Sequence, residues 1–257
     1  MVIAIQPYFV NFVEKFHYSR HRLNMASKLI SCVILVGAAS MLLVSANSFL
    51  GALSLILHDN PFINSLVKYQ VFALALALIV SGITLLFRPE SKGLLRLGEL
   101  SRNAEKESWL GISGVTTWQR NAAQLLVFIS LATGIFMAFA VAGAGAHGNM
   151  RLWFIPWILL FSCVNALSEE LIFRFAVLGT LTPFVPKTIV LLVSAVMFGL
   201  PHYNGFPSGI IGIIMAGVLG YVLSKASYET SGLGIALGMH IVQDIIIFTG
   251  IFMMKTA

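Results

Sequence analysis

Charge is scarce in this chain. Of its 257 residues 10% are Asp, Glu, Lys or Arg and 58% are hydrophobic, against about 25% charged in soluble domains. That balance excludes an ordinary water-soluble globule and assigns the chain to lipid. Cysteine is nearly absent too. Cys32 and Cys163 both lie in apolar runs without CxxC spacing, so they are expected to be small buried hydrophobes and not a disulfide framework or thiolate metal site. HExxH is missing, as are long low-complexity tracts and internal repeats. No basic patch is interleaved with aromatics, so the net charge of +6 reports membrane orientation, and no nucleic-acid partner is expected.

What is present is a series of apolar runs, at residues 29–57, 69–87, 122–145, 152–181, 188–203, 208–224 and 232–254. The expected fold is all-α, a polytopic transmembrane helical bundle of seven helices, or eight if the first run breaks near Asn47 and Gly51. Residues 1–28 read as a cytoplasmic or interfacial lead-in and residues 29–257 as one membrane domain. Phe9, Val10, Phe12, Val13 and Phe16 suit either an amphipathic surface helix over residues 2–16 or a flexible lead-in. Leu94, Leu95, Leu97 and Leu100, flanked by basic residues, predict a second interfacial helix, with a solvated loop as the alternative. Twelve Lys and Arg fall on one side of this scheme, in the lead-in, the stretch from Arg88 to Arg120, Lys187 and Lys225; only Lys68, Arg151 and Lys255 fall on the other. The positive-inside rule then makes the amino terminus cytoplasmic and the carboxyl terminus external. Basic residues follow the first short apolar stretch, which is not the order of a secretory signal.

The ionisable residues inside these runs form one set: Glu169, Glu170, Arg174, His202, His240 and Asp244. A charge at the centre of a membrane helix costs about 2.5 to 3.5 kcal/mol on the mildest scale, so such residues face a bundle interior and usually serve function. Glu170 and Arg174 are four apart and are expected to pair, while Glu169, turned by about 100°, is left for chemistry. Phe198 and His202 share one helix face, as do His240 and Asp244. At about 1.5 Å per residue, Glu169 and His202 stand about 24 and 26 Å from the link near Val185, and His240 about 18 Å from a link near Tyr228. The three side chains can therefore meet in one membrane layer. Gly212, Ala216, Gly220 and Ser224 form a small-residue ridge for close packing, and Gly232, Gly234 and Gly238 are expected to bring the last helix near its neighbours around His240.

These residues resemble the CPBP intramembrane proteases, which include CAAX prenyl endopeptidases and bacterial bacteriocin-processing or immunity-associated proteins. The EExxxR motif of that family matches Glu169, Glu170 and Arg174, FxxxH matches Phe198 and His202, and HxxxN/D matches His240 and Asp244. The resemblance covers residues 152–254 and implies a bacterial inner-membrane endopeptidase acting on prenylated or other membrane-associated peptides. It implies that Glu169 and His202 activate water, that His240 steadies the oxyanion, and that Glu170, Arg174 and Phe198 support the site. Asp244 stands where relatives often carry asparagine; it must donate while protonated or act by orienting His240. No cofactor is expected on this reading, with zinc held by His202, His240, Asp244 and Glu169 as the alternative. A membrane immunity factor or scaffold, and a proton-coupled transporter, are the non-enzymatic alternatives.

Overall fold

The computed structural model describes residues 6–146 and 151–255, with side chains from Met25 onward. Among the described residues the regular structure is helical, and the only extended pairing is two isolated bridges, Asn103–Thr117 and Glu107–Ile112. The α-helices are α1 (Gln6–Ala52), α2 (Pro61–Phe87), α3 (Trp118–Gly143), α4 (Ile155–Glu170), α5 (Ala176–Leu181), α6 (Lys187–Gly199), α7 (Gly209–Thr230) and α8 (Gly234–Lys255). Among the described residues six stretches are long and apolar enough to cross a membrane: Met25–Ala52, α2, α3, Leu152–Leu181, α7 and α8. The protein is an all-α integral membrane bundle.

The long helices number six and not the expected seven because residues 188–203 do not form one long helix. They form the 13-residue α6 and a 3-10 turn, Leu200–Asn204. Thirteen residues reach about 20 Å, short of a hydrocarbon core of about 30 Å, and Pro201 has no N–H with which to continue the ladder. The chain then returns as α7, so α6 and α7 form a hairpin with His202 at its tip. The alternative eighth helix does not arise either, since α1 runs unbroken through Asn47 and Gly51. Its last carbonyls are satisfied from outside: Lys68 Nζ lies 3.1 Å from both Leu50 O and Leu53 O. That bond explains why Lys68 does not end the second span, which begins eight residues earlier than expected, at Pro61 behind an Asn60 cap. Residues 6–24 are helical and continuous with α1; the residues and side chains on which an amphipathic lead-in depends lie outside the described ones.

The expected interfacial helix after Arg88 is also absent. Residues 88–117 fold as two short 3-10 turns, Pro89–Leu94 and Ser108–Leu110, with loop between them. Gly98 and Gly111 sit there at φ 84° and 73°, a left-handed conformation that stops a helix. This loop is clipped to one end of the bundle. Glu229 accepts from Trp118 Nε1 at 2.8 Å and from the Glu105 amide at 2.9 Å, and pairs with Lys187 and Lys225 at 2.6 Å each. Because α7 continues to Thr230 and not to residue 224, Lys225 and Glu229 enter the bundle as a buried pair, so the six-residue set does not exhaust its buried charge. Partial burial works against the charge on Lys187, but its hydrogen bonds to Glu105 and Glu229 prevail and hold the ammonium above the usual lysine range.

The glycines divide by neighbour. Gly232 and Gly234 abut the backbone of residues 96–98, and a Cβ on Gly238 would meet nothing within 4 Å, so these three do not set packing around His240. Gly220 does bring α7 against α6: a Cβ there would stand 3.0 Å from Phe198 Cδ1 and 3.2 Å from Ala195 Cα. One turn on, Ser224 Oγ donates to Ser194 Oγ at 2.7 Å. Cys32 is buried as expected, whereas Cys163 lies on the outer surface, on the face of α4 turned from the core. Gly220→Leu is expected to lower folded yield and reduce thermal stability in detergent, by about 1 to 3 kcal/mol or more for an overpacked contact. Parental yield and melting temperature would contradict close packing at this position.

Candidate active site

α4 ends at Glu170, and the backbone continues as a π-helical turn, Leu171–Phe175, before α5. Every residue of that turn is buried. Wider turns of this kind occur often at functional sites. This one carries Arg174 beneath Glu170 and presents the Phe173 carbonyl to Ser194 Oγ on α6, at 2.5 Å.

Glu169 and Glu170 point in different directions, as their spacing predicts. The Glu169 side chain is 15% exposed and that of Glu170 is fully buried. Glu170 Oε1 lies 3.3 Å from Arg174 Nη1 and 2.7 Å from His240 Nδ1. An ionised carboxylate only accepts, so Nδ1 carries the proton and His240 turns Nε2 towards the other two carboxylates. Nε2 is 3.5 Å from Glu169 Oε2 and 3.7 Å from Asp244 Oδ1. Among the described residues Arg174 makes no hydrogen bond through its guanidinium; besides Glu170, it faces the Phe198 ring, 3.9 Å from Cζ to centroid. Phe198 also stands edge-on to His240, with centroids 5.5 Å apart at 89°, and 4.7 Å from the His202 ring. One phenyl ring therefore touches residues from all three motifs.

His202 arrives differently. Its Nδ1 is 2.7 Å from Phe198 O, which can only accept, so the neutral ring offers Nε2 as its free nitrogen. It lines the same cavity as Glu169 and Asp244, yet among the described residues it forms no ion pair with either. α7 and α8 are joined at residues 231–233, so His240 sits closer to its turn than a link near Tyr228 implies.

Two cavities meet at His202 and Asp244. The first, about 620 Å³, is lined in part by Tyr69, Gln70, Asn165 and Glu169 and lies among α1, α2, α4 and α8. The second, about 350 Å³, lies between α3 and α7 behind His240 and is mainly apolar, with Phe128, Ile129, Met215 and Leu219 in its wall. Sequence reasoning missed three amides around them. Asn165 Nδ2 donates to Glu169 Oε1 at 3.2 Å and to Asp244 Oδ2 at 3.1 Å, Gln70 donates to Asn165 Oδ1 at 3.4 Å, and Gln243 joins Ser130 and Thr133 of α3 at 2.8 Å each. Amides inside apolar helices were the available signal, because they need partners there as charges do. His202 stands apart from the other three candidate zinc ligands, and among the described residues no three His, Cys, Asp or Glu side chains are grouped to hold a metal ion.

A lipid-embedded helical bundle that keeps three carboxylates, two histidines and one guanidinium around joined cavities is laid out as an intramembrane enzyme. Residues 151–246 match the family model described as Type II CAAX prenyl endopeptidase Rce1-like, which supports the resemblance to the CPBP proteases and a peptidase of the CAAX-protease type. All three motifs lie inside the matched interval. No curated protein and no solved structure matches the chain.

Glu170→Gln keeps the side-chain volume but leaves Arg174 without its anion. It is expected to destabilise the folded protein by about 3 kcal/mol, with a coupling to Arg174→Ala of about 1 to 3 kcal/mol in a double-mutant cycle. Additive effects, read by unfolding in detergent, would refute the pairing.

Proposed function

We propose that the protein is a glutamate-dependent intramembrane endopeptidase that cleaves membrane-associated or prenylated peptides. The observation that carries this reading is the convergence of Glu169, His240 and Asp244 where the more polar of two cavities meets the more apolar one. The polar side suits an extended peptide, the apolar side its hydrocarbon or apolar side chains.

In the proposed reaction, Glu169 Oε2 removes a proton from a water molecule that His202 Nε2 helps to hold. The resulting hydroxide adds to the scissile carbonyl carbon, and the carbonyl oxygen becomes an oxyanion. His240, with Nε2 protonated, donates to that oxyanion; a preorganised donor of this kind contributes about 2.7 to 4 kcal/mol. The tetrahedral intermediate collapses by breaking its C–N bond, and the proton held by Glu169 passes to the departing amine. Glu170 keeps the His240 ring in orientation through Nδ1, and Asp244 either donates alongside His240 or steadies it.

The chain would work in a bacterial inner membrane with its amino terminus in the cytoplasm. The twelve-to-three distribution of Lys and Arg supports that orientation, and so does the gathering of the 88–117 loop, Lys187 and the α7–α8 turn at one end. The test is cleavage of prenylated and unprenylated membrane peptides by purified protein. Glu169→Gln, which preserves size but cannot act as the base, is expected to lower cleavage by at least about a hundredfold while the bundle stays folded. Undiminished cleavage by the well-folded variant would reject Glu169 as the central catalytic residue.

A further inference from the structure

Asn165 belongs to none of the three motifs, yet it touches two of the residues they contribute. It lies one helical turn before Glu169, on the same face of α4. From there its single amide nitrogen donates to Glu169 Oε1 at 3.2 Å and across to Asp244 Oδ2 on α8 at 3.1 Å. Two acceptors that share one NH2 group are fixed in direction as well as distance, because its two N–H bonds diverge. Like charges would otherwise drive these carboxylates apart. The amide has one favourable orientation. Gln70 Nε2, on α2, donates to Asn165 Oδ1 at 3.4 Å, whereas a flipped amide would aim Oδ1 at both carboxylates and its NH2 at another NH2.

We propose that Asn165, oriented by Gln70, is a positioning residue that selects the reacting oxygen of Glu169. With Oε1 taken by Asn165, Oε2 is the oxygen turned towards His240 Nε2 at 3.5 Å, buried and, among the described residues, without a hydrogen-bond donor. The same amide holds Asp244 so that its other oxygen, Oδ1, lies 3.7 Å from that ring nitrogen. Asn165 thereby sets the geometry in which base and oxyanion donor face one substrate carbonyl. This role rests on Glu169 being the base, as proposed above. It concerns the chemical step and not substrate affinity, since misplacing a reacting group by about 1 Å costs about a hundredfold in rate.

The test compares kcat and KM on the peptide that the parent cleaves fastest, normalised to folded protein, with Glu169→Gln as control. Asn165→Leu removes the donor at nearly constant volume and is expected to lower kcat by about tenfold to a hundredfold, with KM changed by no more than about twofold. Asn165→Asp, which sets a third carboxylate against the other two, is expected to lose at least as much. Gln70→Met is expected to lower kcat by a few-fold and to have no further effect in the Asn165→Leu background, because Gln70 acts through that amide. If Asn165→Leu does not fold, Gln70→Met alone decides, through a lower kcat at parental melting temperature and KM. Parental kcat in folded Asn165→Leu or Gln70→Met, or a loss confined to KM, overturns the role of Asn165 while leaving Glu169 in place. Parental cleavage by Glu169→Gln, or no cleavage by the parent, removes the proposed function and this inference with it.

Discussion

The site depends on one buried carboxylate with two obligations. Glu170 Oε1 faces the Arg174 guanidinium at 3.3 Å and His240 Nδ1 at 2.7 Å, with both side chains of the ion pair fully buried. An isolated charge at this depth is costly, so Glu170 and Arg174 each require the other. The contact with His240 has a further effect. By holding Nδ1 as a donor and fixing which way the ring faces, it leaves Nε2 to Glu169 and Asp244. The neutralising pair and the chemical group are thus joined through a single oxygen.

The local backbone serves that arrangement. The π turn Leu171–Phe175 moves Arg174 under Glu170 and releases the Phe173 carbonyl to Ser194, which in turn accepts from Ser224 on the small-residue ridge of α7. Phe198 sits above the guanidinium and beside both histidines, held there by the close approach of α7 at Gly220. Packing of α6 on α7 therefore sets where His202 and the aromatic platform stand. Glu229 ties the other end of the same hairpin to α3 and to the 88–117 loop.

Much of this was legible in the sequence, and what was not has identifiable causes. Apolar length located the long helices, and the four-residue spacing of Glu170 and Arg174 gave their shared face, because period and length follow from helix geometry alone. Composition could not tell one long helix from a short helix and a turn: residues 188–203 are apolar enough to span, but α6 ends at Gly199 and the chain continues as a 3-10 segment that contains Pro201. It also could not assign Lys68, whose ammonium is spent on the end of α1, or Lys225 and Glu229, which neutralise each other inside a longer α7. The candidate site was legible as a set of residues and less so as a network. Motif spacing pairs residues within a helix, whereas Glu170 to His240 and Asn165 to Asp244 are contacts between α4 and α8 that only the packed bundle creates.

The proposed reaction has these side chains carry out hydrolysis through Glu169 with no metal in the step. It is tested most directly by measuring the metal content of carefully purified, active protein and its peptide cleavage before and after chelation. The account predicts cleavage that persists at metal far below one equivalent and is unchanged by the chelator. Stoichiometric zinc, with activity lost on chelation and restored by adding zinc back, would contradict it.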